Sequence, residues 1–161
     1  MSLKNYELTN YEKLVEDLIN GLLESSYRGR CTIHAGEASY GGWEVKITPN
    51  NPKAAKIHIH DIDSNTIYLT VDEAYNMEFF VNEEEYEKGL PDFNAHLLAI
   101  LQGRVKGYHV KDKRDYMKYT YLKTVIEFEI QNTIIPWCRN VIFRSWFIKR
   151  KDVVEQTFES Y

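Results

Sequence analysis

Apolar and polar residues alternate in five short runs between Arg30 and Val81. Successive side chains of a strand point to opposite faces, so this alternation predicts strands with one buried and one solvated face. Turn-forming residues separate the runs, among them Gly41-Gly42 and Asn50-Asn51-Pro52. The pattern predicts an antiparallel meander of about five strands. Its apolar positions are Cys31, Ile33 and Ala35; Trp43, Val45 and Ile47; Ile57 and Ile59; Ile67, Leu69 and Val71; Met77, Phe79 and Val81.

Two longer segments show helical spacing. Thr9 with Glu12 has the spacing of a capping box, and a helix is expected from there to about Glu24. Its apolar stripe is Leu14, Val15, Leu18, Ile19, Leu22 and Leu23. After the break at Gly89-Leu90-Pro91, Asp92 is expected to cap a second helix that ends near Gln102.

The last third of the chain predicts further strands. Val105 to Val110 and Tyr116 to Ile130 form the arms of an expected hairpin. Residues 131–149 fit either a strand or a helix, and their Val, Ile, Phe and Trp content favours a strand. A short C-terminal helix containing Val153, Val154 and Phe158 is expected to follow.

The order of these elements predicts an α+β fold, because strands and helices do not alternate as in a doubly wound sheet. With 161 residues and 43% hydrophobic content, the chain fits a single domain over 1–161. We expect an antiparallel, meander-type sheet of about five to eight strands. The N-terminal and central helices are expected to pack on one face of it.

Cysteine content and hydropathy indicate the cellular compartment of the protein. Two cysteines, Cys31 and Cys138, make no disulfide framework. The N-terminus does not resemble a signal peptide, and no apolar run approaches the roughly 18 residues that span a bilayer. These features predict a cytoplasmic protein without a membrane segment.

Charge is divided unevenly along the chain. Residues 1–103 carry 8 Lys/Arg and 17 Asp/Glu, whereas residues 104–151 carry 12 and 4. Such a division marks a partner surface in some proteins. We favour the alternative that acidic and basic elements lie side by side in the fold.

The strongest metal-site candidate is the pair His58 and His60, to which His34 on a nearby strand could add a third ligand. The register, however, places both histidines on the wet face and turns Asp61 the other way. Neither a metalloprotease helix motif nor a paired CxxC is present. We therefore expect a solvated face, with no metal and no other cofactor.

Catalytic motifs are missing from the sequence. It contains no nucleophile elbow, no phosphate-binding loop and no GxGxxG fingerprint. We therefore assign no catalytic residue and favour a non-enzymatic protein, although the question stays open.

Basic and aromatic residues near the C-terminus suggest nucleic-acid binding as one alternative function, through phosphate contacts and base stacking. The acidic sequence pI of about 5.8 argues against it. The residues concerned are Arg139, Arg144, Trp146, Lys149, Arg150 and Lys151.

The leading hypothesis is a small intracellular protein that binds another protein, since interfaces are enriched in aromatic residues. In architecture and charge it is similar to toxin-immunity proteins and secretion chaperones, which is an analogy of shape rather than of residues. A homodimer formed by edge pairing of the apolar C-terminal strand is also considered. A second alternative is a ligand- or metal-binding protein, or an enzyme, with a His/Tyr-lined pocket in a curved sheet. The candidate partner-binding residues are Glu83, Glu84, Glu85, Tyr68, Tyr75 and Phe80.

Overall fold

The computed structural model describes residues 10–39, 41–61, 66–80, 86–110, 124–138 and 153–161. Its strands form two antiparallel sheets, one of five strands in the order β1-β2-β3-β4-β5 and one of four in the order β8-β7-β6-β9. The predicted α+β class with antiparallel strands is confirmed. The elements are α1 (Asn10–Ser26), β1 (Cys31–Glu37), β2 (Trp43–Pro49), β3 (Ile57–Asp61), β4 (Thr66–Val71), β5 (Tyr75–Phe80), α2 (Tyr86–Leu101), β6 (Val105–Val110), β7 (Thr124–Ile130), β8 (Thr133–Cys138) and β9 (Val153–Thr157).

The five-stranded sheet is the meander that the alternation predicts. Its register aligns Val45, Ile59, Leu69 and Met77 in one row across four strands. All four side chains are buried. We call this side the inner face and the opposite side the outer face.

Helix α1 buries one stripe in the same core as the inner face. Val15, Ile19 and Leu23 recur every four residues and are buried. The predicted N-terminal helix is therefore confirmed, and it ends at Ser26 instead of near Glu24.

Helix α2 differs from the prediction at its start. It begins at Tyr86, so Asp92 lies inside the helix and is not its cap. Proline removes one backbone donor and disfavours the helix interior, which is why Pro91 suggested a boundary. The buried side chains of Phe93 and Leu97 hold this segment in the core despite that cost.

The second sheet was not anticipated, because the sequence suggested one sheet. Of the hairpin expected from Val105, the antiparallel pairing of β6 with β7 is confirmed, whereas the turn at 111–115 and the arm over 116–123 lie outside the described residues. Gln131 and Asn132 both have positive φ, as the central residues of a type I′ turn do, and lead from β7 into β8. The preference for strand over helix is thus confirmed at Thr133–Cys138, and residues 139–149 lie outside the described part.

The predicted C-terminal helix is wrong. Residues Val153–Thr157 form β9, which pairs antiparallel with β6. The ladder that β6 offers outweighs the helical spacing of so short a segment, since isolated short helices are marginal. Phe158 lies just beyond the strand and is buried.

Tyr75 joins the two sheets. A Cβ placed on Gly107 would overlap the hydroxyl and Cζ of Tyr75 and would lie 2.8 Å from its Cε2. The ring therefore rests directly on the backbone of β6. Its hydroxyl lies 3.4 Å from Oε1 of Gln156 on β9. Burial and the nearby Asp72 carboxylate raise the pKa of Tyr75 to about 12.

The last four residues tie both sheets and α2 together. The backbone N–H of Glu159 donates to the Lys53 carbonyl at 3.0 Å, and that of Tyr161 donates to the Leu101 carbonyl at 3.0 Å. The Tyr161 hydroxyl donates to the Ala55 carbonyl. Within the described segments, no helix is long and apolar enough to cross a membrane.

Replacing Gly107 by alanine tests the contact with Tyr75. The added methyl group meets a ring that is 1% exposed, so we expect a loss of about 2 kcal/mol in the free energy of unfolding, measured by urea denaturation. The matched control is Gly21→Ala in α1, where nothing lies within 4 Å of the new Cβ. That change should stabilise the protein by about 1 kcal/mol. Equal stability of Gly107→Ala and the wild type would contradict the described packing.

Candidate functional site

The outer face of the five-stranded sheet carries a cluster of polar and aromatic side chains, which we call the outer-face cluster: Glu44, Lys46, His58, His60 and Tyr68. The register places Glu44, His60 and Tyr68 in one row across β2, β3 and β4. Lys46 and His58 are opposite each other in the next row. Alternation along each strand therefore collects the five side chains on one surface.

Glu44 is the centre of the outer-face cluster. Lys46 Nζ donates to its Oε1 at 2.8 Å, and His58 Nε2 lies 2.9 Å from its Oε2. Glu44 is only 7% exposed. Burial alone would raise the pKa of this carboxyl, but the hydrogen bonds and charges of Lys46 and His58 outweigh it and hold the pKa below its usual value.

Three rings form a stack beside this carboxylate. The His58 and His60 rings are 4.9 Å apart and inclined by 27°, and those of His60 and Tyr68 are 5.0 Å apart and inclined by 13°. Burial, with repulsion from His58, lowers the pKa of His60, and Glu44 opposes that shift only in part. The stack therefore favours a neutral His60.

The prediction for His58 and His60 is confirmed in its geometry. Both side chains share the outer face, and Asp61 is turned to the inner face, where it is buried. His34 lies opposite Lys46 on β1 and is exposed. The described residues contain no group of three or more His, Cys, Asp or Glu side chains that could hold a metal ion.

The partner-binding candidates are separated by the structure. Tyr68 belongs to the outer-face cluster, as expected. The placement of Tyr75 on the outer face is wrong, because its ring is buried on Gly107 and has no surface to offer a partner. Phe80 ends β5 with its backbone opposite Thr66, and its side chain lies outside the described part.

The remaining candidates lie outside the described residues. They are the partner-binding residues Glu83, Glu84 and Glu85, and the nucleic-acid candidates Arg139, Arg144, Trp146, Lys149, Arg150 and Lys151. Both sets stay predictions. The apolar C-terminal strand considered for a homodimer is described only at Thr133–Cys138, as β8 at an edge of the four-stranded sheet, and its pairing with a second copy stays a prediction.

Sequence reasoning missed Glu44 and Lys46. Their positions on the wet side of β2 follow from the alternation with Trp43 and Val45. Their contact with the histidines depends on the β2–β3 register, which places Lys46 opposite His58. The turn at Asn50-Asn51-Pro52 does not determine that register, because the loop has no standard hairpin length.

His96 is a core residue, in keeping with the usual role of a lone histidine on a buried helix. Its ring contacts those of Phe79, Phe128 and Trp137. Its Nδ1–H donates to the Asp92 carbonyl at 2.8 Å. The residue is 2% exposed, which leaves it no access to a dissolved substrate.

A shallow pocket of about 170 Å³ lies on the outer surface of the four-stranded sheet. Its lining combines Arg104 and Lys106 with Glu127 and Glu129, and it includes the exposed Ile134. It contains no histidine, so it is not the His/Tyr-lined pocket that the ligand-binding alternative requires.

Comparison with protein-family models, with curated proteins and with solved structures gives no match to this chain.

The lowered pKa of His60 predicts acid sensitivity. Below about pH 6.5, the usual histidine value, the unfolded chain binds a proton at this position more readily than the folded protein does. The free energy of unfolding should therefore fall as the pH drops from there through the folded-state pKa. His60→Gln should flatten that part of the profile, measured by urea denaturation at several pH values. His34→Gln on exposed β1 is the control, and an equal effect of both changes would contradict the role of His60.

Proposed function

We propose that this protein is a non-enzymatic intracellular protein that binds another protein through the outer-face cluster. The observation that supports the proposal is the ordered row of Glu44, His60 and Tyr68 on a sheet face opposite the core. Both described helices contribute their buried side chains to the core on the inner side. The row therefore belongs to a surface that the core does not need.

The chemistry of this surface suits a protein partner. Tyrosine is enriched at interfaces because it combines a large apolar ring with a polar hydroxyl. The exposed Lys46 adds a positive charge that can fix the orientation of a partner, and the nearly buried Glu44 holds that charge in place. The stacking of His58, His60 and Tyr68 restrains these side chains before binding, which reduces the entropy lost when an interface forms.

The position of Cys31 supports a non-enzymatic role. It lies on the inner side of β1, whereas His34, His58 and His60 are on the outer face, so the sheet separates thiol from imidazole. Burial raises the pKa of the Cys31 thiol, which disfavours the reactive thiolate. A thiol that is separated from these histidines and has a raised pKa is poorly suited to act as a nucleophile.

The proposal is tested by affinity capture from a lysate of the source organism, with quantitative mass spectrometry. Tyr68→Ser should reduce capture of a stoichiometric partner by roughly thirtyfold, as expected for a tyrosine at the centre of an interface. The matched control is Tyr108→Ser, since Tyr108 is likewise half-buried but lies on the four-stranded sheet, where its hydroxyl donates to Glu127 Oε2 at 3.1 Å.

Charge-assisted binding at the outer-face cluster would be supported by two results together. Tyr108→Ser should still capture the partner, and the wild-type protein should release the partner at high salt. Equal capture by Tyr68→Ser and the wild type would contradict the proposal. Thermal unfolding of each variant distinguishes a lost interface from a lost fold.

A further inference from the structure

Strand β1 is an edge strand of the five-stranded sheet, as the described part of the chain shows it. Among the described residues it pairs with β2 alone. Most of its residues are exposed, including Ile33 at 40%. Of the large apolar side chains in the described part of the chain, Ile33 and Ile134 are the exposed ones.

The ladder between β1 and β2 fixes which backbone groups face outward. Asn50 N–H donates to the Arg30 carbonyl at 2.8 Å, and Ala38 N–H donates to the Gly42 carbonyl at 3.0 Å. Pro49, opposite Cys31, has no N–H to donate. In an antiparallel pair, residues that bond to the neighbouring strand alternate with residues that do not.

This alternation determines the direction in which the backbone groups of each residue of β1 point. Thr32, His34 and Gly36 direct their N–H and C=O groups to β2. The intervening residues Cys31, Ile33, Ala35 and Glu37 direct theirs away from it. No other described strand pairs with these outward-facing groups, and the residues that carry them include the three apolar ones of the inner side, Cys31, Ile33 and Ala35.

Strand β1 carries one carboxylate, Glu37 at its end, and within the described residues it otherwise lacks the devices that usually block strand addition. Proteins protect exposed edges with lysine, proline, bulges or very short strands. The seven residues of β1 include no lysine, arginine or proline, and their register with β2 has no bulge. By contrast, β8 at the edge of the other sheet contains Pro136.

We propose that β1 pairs antiparallel with β1 of a second copy of this chain, about a two-fold axis at Ile33. This register places Ile33 opposite Ile33 of the second copy and Cys31 opposite its Ala35. These residues are the ones with outward-facing backbone groups, so each pair exchanges two hydrogen bonds. The apolar side chains of the two copies meet on the inner side. The five-stranded sheets of the two copies then join into one continuous sheet.

A two-fold axis at His34 fits the strand less well. It would place the Glu37 carboxylate opposite Cys31 on the apolar side and would bring two histidines face to face. A strand from a different protein could also use free backbone groups. A two-fold axis at Ile33 pairs the apolar residues Cys31, Ile33 and Ala35 with one another. This self-complementarity favours a second copy of the chain over a strand from a different protein.

The test is sedimentation equilibrium of the full chain over a range of concentrations. We expect a reversible monomer–dimer equilibrium. Ile33→Pro removes an N–H that does not bond to β2, so the fold should survive while dimerisation weakens by roughly thirtyfold through loss of one exchanged bond in each copy. Ile33→Lys places two positive charges at the axis and should leave only monomers.

Ile134→Lys is the matched control, because it replaces the other exposed isoleucine and should leave the dimer unchanged. A wild-type monomer at every concentration would overturn the inference, as would open-ended aggregates in place of a closed dimer. So would loss of the dimer in Ile134→Lys together with its retention in both Ile33 variants. The edge of β1 and the outer-face cluster are different surfaces, so this result does not depend on the proposed function.

Discussion

The two-residue repeat of the five-stranded sheet is the constraint on which the other features depend. Side chains one residue apart face opposite sides, so a shift of one residue in any strand would exchange core and surface. The row of Val45, Ile59, Leu69 and Met77 is buried by this rule. By the same rule, the side chains of Glu44 and His60 both lie on the outer face.

Electrostatics on the outer face follows from that arrangement. Because Glu44 is almost buried, its carboxylate needs partners, and Lys46 and His58 supply them from neighbouring positions. For His60, the charge of Glu44 opposes the effect of burial only in part, so burial lowers the pKa of the ring and favours its neutral form. A surface organised in this way presents charge and aromatic area at fixed positions, which is the basis of the proposed protein interface.

Much of the first sheet could be predicted, because its alternation is local in sequence. Alternation alone also predicted that Asp61 lies on the other face of the sheet from His58 and His60. The error at Tyr75 was avoidable, since the same repeat groups it with Met77 and Phe79 on the buried side. The contact of Tyr75 with Gly107 was not predictable, because it joins elements far apart in the chain.

The other errors have a similar origin in long-range contacts. Val153–Thr157 is a strand because β6 offers it a ladder, and nothing in its own five residues indicates that partner. Pro91 signalled a helix boundary by local rules, yet the burial of Phe93 and Leu97 keeps the surrounding helix intact. The outer-face cluster required the β2–β3 register, which no short hairpin turn specified.

The most direct test of the alternation is amide hydrogen exchange of β1, resolved by residue with NMR at a concentration where the protein is monomeric. The structure predicts slow exchange at Thr32, His34 and Gly36, which bond to β2, and fast exchange at Ile33, Ala35 and Glu37. The reverse pattern would contradict the account, because it would mean that β1 is shifted by one residue against β2.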